Sequence, residues 1–283
     1  MPPSNRDRQR ANARARLERD MTERAERARR RRRLQMSMLA TLLAVVLVTV
    51  GVWIVVAGGG GKKKPKASPS GAASASPASC TWTPRLKADP SAPAQPTPSG
   101  VKDVGTPPAG EPRTGTQTMT ITTNLGPITV AVDDSKVPCT AASFTYLANQ
   151  KKFFDGSKCH RLTDSGLYVL QCGDPSATGT GGPTYEFADE NLPNNRRPAY
   201  PEGTLAMANS GPGTNGSQFF IVYKDTELDP NYTVVGKITA GLDIVKKVAE
   251  GGVTPADPSN PHDGAPKTEV RIQSLTMSSP TQS

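Results

Sequence analysis

Apolar and polar positions alternate most regularly over residues 205–223, LAMANSGPGTNGSQFFIVY, and a period of two predicts a pair of strands. Leu205, Met207, Phe219, Ile221 and Tyr223 fall on one face, and Ala206, Ala208, Phe220 and Val222 on the other. Successive strand residues point to opposite sides, so Phe219 and Phe220 cannot both enter one core. Residues 210–217 between the strands are turn formers and predict a loop. Upstream, residues 119–132 alternate around Gly126-Pro127 and predict a hairpin turning at that dipeptide. Over residues 141–150 the period changes: Ala142 with Tyr146, and Phe144 with Leu147, lie at helical spacing, and Pro138 stands where a helix start tolerates proline. A second hairpin returns through residues 167–172, residues 228–238 and 270–277 read as strands, 242–248 as a short helix, and 179–182 as turn material. The sum is a mainly β domain, a closed antiparallel barrel capped by two helices.

The first 115 residues carry different patterns. Residues 1–33 are rich in Arg, Ala, Glu and Gln with no apolar face, which predicts a basic, solvated helix. Residues 34–57 hold no charge and are dominated by Leu, Val, Ala and Met; at about 1.5 Å per residue they cross a hydrocarbon core of roughly 30 Å as one transmembrane helix. Residues 58–115 form a Pro/Ser/Ala-rich linker with too little apolar surface to fold alone, holding the domain of residues 116–283 roughly 40 Å from the bilayer.

Charge fixes the direction of this arrangement. Residues 1–33 carry thirteen Arg against five acids, residues 34–115 eight bases against three acids, and residues 116–283 thirteen bases against seventeen acids. The nets are +8, +5 and −4, so the basic character belongs to the flanking segments and the domain is a poor polyanion binder. The run at residues 29–33 abuts the apolar span and reads as a membrane-proximal charge block; no nucleic-acid partner is expected. The larger excess lies on the N-terminal side, which predicts a cytoplasmic N-terminus and an extracytoplasmic domain on the cytoplasmic membrane. A cleavable signal peptide ending at residues 55–57 is the rival reading; the long charged lead and the length of the apolar run favour an uncleaved anchor. No apolar run abuts Cys80, so it is not a lipoprotein cysteine.

Several separated motifs then resemble, in order, those of the cyclophilin-type peptidyl-prolyl isomerases. They are His160-Arg161-Leu162, Tyr168-Val169-Leu170-Gln171 with Gly173-Asp174, Phe187-Ala188-Asp189-Glu190-Asn191, and residues 207–211 (MANSG) through Gln218-Phe219-Phe220. The resemblance covers residues 119–277. It implies that Arg161 is the catalytic guanidinium with Gln171 beside it, and that Asn209 bonds the substrate backbone. Phe220, Tyr168, Val169 and Leu228 would line a proline pocket, with Ala208, Ser210 and His160 at its edge. Tyr232 stands where the family has a pocket histidine, a tryptophan common just before the position of Leu228 is absent, and two extra residues separate Arg161 from Gln171. These departures bear on substrate preference and leave an expectation of weak cyclosporin binding.

Catalysis of this kind needs no nucleophile, cofactor or metal. With His160 and His262 the only histidines, a His-based zinc site has little support, and Asp189 and Glu190 read as capping or pairing groups. The expected partners are proline-containing polypeptides. Two functions remain: an isomerase that assists the folding of exported proteins, and a catalytically weak module that binds proline-containing segments of envelope partners. Export would place the four cysteines where disulfides persist. If all of them pair, Cys80 must bridge to the domain, whichever of Cys139, Cys159 and Cys172 it meets; a free thiol at Cys80 is the other reading.

Overall fold

The structure, a computed structural model, describes residues 80–85, 100–108, 114–194 and 197–281. The expected basic segment, the expected transmembrane span and residues 58–79 of the linker lie outside them; among the described residues no helix is long and apolar enough to cross a membrane.

Fourteen strands are described: β1 (Thr83–Pro84), β2 (Val101–Lys102), β3 (Thr116–Thr123), β4 (Gly126–Asp133), β5 (Arg161–Ser165), β6 (Leu167–Cys172), β7 (Gly182–Pro183), β8 (Tyr185–Glu186), β9 (Thr204–Met207), β10 (Phe219–Val222), β11 (Val234–Ala240), β12 (Val253–Asp257), β13 (Asn260–Pro266) and β14 (Ile272–Met277). The helices are α1 (Pro138–Thr145), prolonged by a π-helical turn at Tyr146–Gln150, and α2 (Leu242–Glu250). Ten strands make one antiparallel sheet in the order β12-β13-β5-β6-β10-β9-β11-β4-β3-β14. The regular ladders begin at β12 and stop at β14. The residues leading into β5 and β14 also exchange backbone hydrogen bonds, Cys159 N–H to the Val270 carbonyl at 2.9 Å and Ile272 N–H to the Ser157 carbonyl at 2.8 Å.

The alternation at β9 and β10 separates two clusters. Leu205, Met207, Phe219, Ile221 and Tyr223 join the main core with Met119, Ile121, Val130, Leu162 and Leu170. Ala206, Phe220 and Val222 form a smaller cluster on the opposite face. Pro138 begins α1, where its missing N–H costs nothing. The carboxylate of Glu190 accepts the Cys139 N–H at 3.0 Å and the Thr140 N–H at 2.9 Å, so this acid caps the helix.

Three local expectations shift. The first hairpin turns at Asn124-Leu125, two residues before Gly126-Pro127: Thr123 pairs with Gly126, and the Thr123 hydroxyl takes the Leu125 N–H and donates to the Gly126 carbonyl. Residues 228–233 are loop, and the strand begins only at Val234. Pro230 has no N–H for a ladder, and Asp229 and Tyr232 give their carbonyls to the Tyr200 hydroxyl instead. The linker is not bare up to residue 115. Cys80 is bonded to Cys139, Trp82 packs edge-on against Tyr185 and Phe187, β1 pairs with β8, β2 pairs in parallel with β7, and the Tyr146 hydroxyl donates to the Val104 carbonyl. The other disulfide joins Cys159 to Cys172, and no described cysteine is free.

Candidate active site

Strand register assembles the site. Arg161 lies opposite Gln171 on β5 and β6, Gln171 opposite Phe220 on β6 and β10, and Phe220 opposite Ala206 on β10 and β9. These four side chains form a row on the sheet face turned away from the main core. Val169, opposite both Thr163 and Val222, starts a second row beside it. On this apolar strip pack Ala208, Leu228, Tyr232 and Val234. Phe220, at 4% exposed, is the floor of the strip. Its walls are aromatic: the rings of Tyr200 and Tyr232 stand edge-on to Phe220, with centroids 6.0 and 5.5 Å away.

Tyr200, which no motif singles out, fixes this wall. Its hydroxyl accepts the Tyr232 N–H at 2.9 Å and donates to the Tyr232 carbonyl at 3.1 Å. Burial pushes the phenol up to about 12, so it remains a donor at every physiological pH. Asn209 ties in the other side of the loop through its amide, which donates to the Asn231 carbonyl at 2.9 Å. Ser210 is exposed at the rim, its N–H held by the Thr214 hydroxyl.

Arg161 is held on two sides. Its Nε and one Nη donate to both carboxylate oxygens of Asp263, at 2.7 and 2.8 Å, and its other Nη donates to the Gln171 side-chain oxygen at 3.1 Å. The Asp263 hydrogen bonds raise the arginine pKa, and the same contact holds the Asp263 carboxyl below the usual carboxylate range. Asp263 arrives on β13, where its neighbour Gly264 pairs with Leu162; a Cβ at Gly264 would sit 2.1 Å from the Thr254 carbonyl oxygen, so only glycine lets β12 and β13 close up beside β5. Asp263 pairs with Thr163, one of the residues sharing the face of Arg161, which makes it the diagonal neighbour of the arginine. Gln171 continues the chain, donating to Gln218 at 2.9 Å, and Gln218 donates to the carbonyls of Gly179 and Gly181 at 3.0 Å. Each amide is thereby oriented by its neighbour.

The structure thus brings Arg161, Val169, Gln171, Ala208, Asn209, Phe220, Leu228 and Tyr232 to one face. Tyr168 is the correction. It lies on the other face of β6, where its ring meets Tyr223 at 6.0 Å and carries the Lys224 ammonium at 4.5 Å. The cause is parity: Val169 and Gln171 cannot face the pocket in a regular strand unless Tyr168 turns away. His160 likewise lies against the 174–181 turn, within 3.8 Å of the position a Gly179 Cβ would take. Burial, opposed by Asp174, holds its imidazole below the ordinary histidine range. Both ring nitrogens are buried without a hydrogen-bond partner among the described residues, so His160 stays neutral and packs. Asp174 spends its own carboxylate on that turn, accepting the N–H groups of Ser176, Thr178, Gly179 and Gly181.

The described domain is thus a mainly antiparallel β fold with an arginine–glutamine pair beside an aromatic-walled apolar strip. Residues 118–277, just over half of the chain, match the family described as cyclophilin type peptidyl-prolyl cis-trans isomerase/CLD. The chain belongs to this family. It is 49% identical over 189 residues to the probable peptidyl-prolyl cis-trans isomerase B of Mycobacterium leprae, covering 62% of each chain. Over 170 residues it is 49% identical to the protein of that name in Mycobacterium tuberculosis, covering 56% of this chain and 54% of that one. The probable peptidyl-prolyl cis-trans isomerase A of Mycobacterium leprae is 39% identical over 178 residues, 57% of this chain and 92% of its own. The chain therefore spans less than two thirds of the length of the two isomerase B relatives. A crystal structure of a cyclophilin type isomerase from Cryptosporidium parvum aligns with a TM-score of 0.49 and 29% identity, over 59% of this chain and 99% of its own.

Proposed function

We propose that this protein catalyses cis-trans rotation about X–Pro bonds in polypeptides. The observation that carries the reading is the juxtaposition of a positioned arginine, Arg161, with the aromatic-walled strip floored by Phe220. Rotation faces a barrier of roughly 18–20 kcal/mol because amide resonance resists twisting. A site lowers it by binding the twisted amide more tightly than either planar form. The proline ring occupies the strip of Val169, Phe220, Leu228 and Tyr232. Of the five N–H groups of a guanidinium, three are spent on Asp263 and Gln171. The remaining two, one on each Nη, hold the carbonyl oxygen before the proline and donate toward the amide nitrogen as it pyramidalises. Asn209, whose side chain is engaged within the loops, meets the peptide through its main chain. Moving a process of tens of seconds to about 10 ms requires roughly 4–5.5 kcal/mol. A charged hydrogen bond supplies about 1.5–3 kcal/mol, and the grip on the ring with desolvation of the bond supplies the rest.

One observation favours the rival reading of a binding module: the bidentate carboxylate partially neutralises Arg161. We read Asp263 instead as the group that orients the guanidinium. Asp263→Ala is expected to lower kcat/KM about three- to tenfold, or about 0.6–1.4 kcal/mol, less than a whole charged hydrogen bond because Asp263 orients Arg161 and does not itself meet the peptide. The folded-state pKa of Asp263 is depressed, so the pair stabilises fully above the ordinary carboxylate value of about 4 and is lost as pH falls through the depressed value. Urea unfolding at pH 7 and at pH 3 should therefore show a smaller acid loss in Asp263→Ala than in the wild type. An unchanged kcat/KM in the folded variant would return Asp263 to a surface ion pair.

The setting we propose is the outer face of the cytoplasmic membrane, with residues 34–57 as the anchor and exported chains as substrates. The charge asymmetry about that span and the disulfide-paired cysteines support it. Protease added to spheroplasts should digest residues 116–283; complete protection would reverse the topology. A closed barrel is the reading we favour for the sheet, supported by the bonds between residues 157–159 and 270–272. Cyclosporin binding, if tested by titration, is expected to be weak because Tyr232 and residues 226–227 replace the family's usual histidine and tryptophan.

A further inference from the structure

Beyond Gln171 the site face continues into a cavity of about 160 Å³, polar where the proline strip is apolar. Gln171, Ala208, Asn209 and Gln218 form its near side, and Arg85 and Glu186 form part of its lining. Arg85 lies outside the matched family region and reaches the cavity only because residues 80–85 are fastened to the domain. The Cys80–Cys139 disulfide anchors one end of that segment, and β1 pairs Thr83 with Glu186. The Arg85 N–H donates to the Thr184 carbonyl at 2.8 Å, and its Nη2 donates to the Thr180 carbonyl at 2.7 Å. Its Nε stands 3.8 Å from Glu186, a loose ion pair, with the side chain 23% exposed. The guanidinium is thus oriented by a carbonyl and only weakly matched by a carboxylate.

We propose that Arg85, contributed from outside the matched family region, gives this part of the peptide site a preference for an acidic side chain two residues away from the proline. The proposal rests on the peptide-binding reading above. In an extended peptide residues two apart share a face and lie roughly 6.5–7 Å apart along the chain, which carries a side chain from the Phe220 strip past Gln171 to Arg85. A substrate carboxylate would give Arg85 a closer partner than Glu186 now does, and a substrate ammonium would meet its positive charge. The tethered segment is then a specificity element, and the Cys80–Cys139 bond is what keeps it in place.

The test uses the full-length oxidised protein and two peptide series, Xaa-Ala-Pro-Phe and Ala-Ala-Pro-Phe-Xaa, with Xaa as Glu, Gln or Lys. Affinity is read by titration calorimetry and turnover as kcat/KM. In one series Glu is expected to exceed Lys about fivefold in affinity, the scale of a partly exposed ion pair. Arg85→Gln should bring the Glu/Lys ratio to about one, Arg85→Lys should keep it, and Arg85→Glu should reverse it, an outcome that mere loosening of the segment cannot give. A wild-type ratio of one in both series, or a ratio unmoved in Arg85→Gln and Arg85→Glu, overturns the proposal. Discrimination in affinity with no turnover of any peptide would defeat the isomerase reading while supporting the acidic preference; turnover without discrimination would do the opposite.

Discussion

Replacing Arg161 with alanine should lower kcat/KM for an X–Pro peptide by at least about tenfold, equivalent to about 1.4 kcal/mol of lost transition-state stabilisation, with the fold intact. The side chain is 37% exposed and takes no part in either apolar cluster, so its removal opens no core cavity. The substitution leaves Asp263 without its ion-pair partner, but at 30% side-chain exposure that carboxylate is solvated by water. Peptide affinity should fall less than turnover, because the apolar strip still grips the ring and only the contact that strengthens in the twisted state is lost. Kinetics on a variant whose circular dichroism and unfolding midpoint match the wild type provide the check. A loss in affinity equal to the loss in kcat/KM, with kcat unchanged, would place Arg161 in uniform binding.

Removing the Cys80–Cys139 bond should produce the largest stability effect. The bridge closes a loop with a sequence separation of 59, for which chain-entropy reasoning gives about 4 kcal/mol. Cys80→Ser with Cys139→Ser is expected to lose about 2–4 kcal/mol in denaturant unfolding, since β1 and the Trp82 contacts then dock at the full cost of ordering a free segment. The core strands stay paired, so the unfolded baseline should be reached cooperatively. A stability within about 0.5 kcal/mol of the wild type would show that the segment gains nothing from its tether.

How much of this was legible in the chain depends on the kind of signal. The alternation at residues 205–223 separates two faces of the sheet, and the two clusters divide along that line because strand parity is a property of the backbone. The same rule, applied one strand away, turns Tyr168 from the pocket, against the placement that the motif resemblance implies. Pro138 marked the start of α1 for a reason local to the residue. Asp263 was invisible. It lies in Asn260-Pro261-His262-Asp263-Gly264, a stretch without apolar alternation that becomes a strand only by pairing with β12 and β5. Propensity cannot report a strand whose stabilisation comes wholly from its neighbours. Tyr200 and Arg85 were hidden for a related reason: each acts across a long sequence separation, Tyr200 on the 229–232 loop and Arg85 on the 180–186 segment. Cys80 was the exception, since the even cysteine count constrained a long-range contact that no periodicity could.

An isomerase with this site accelerates X–Pro rotation as the full-length protein. The direct measurement is the cis-to-trans relaxation of a proline peptide, followed by line-broadening or a coupled conformer-specific readout, as protein is added at catalytic concentration. The expected result is a first-order rate that rises linearly with protein from the uncatalysed scale of tens of seconds. Binding of the same peptide with a relaxation rate unchanged at any protein concentration would contradict it and leave the proline strip as a recognition surface alone.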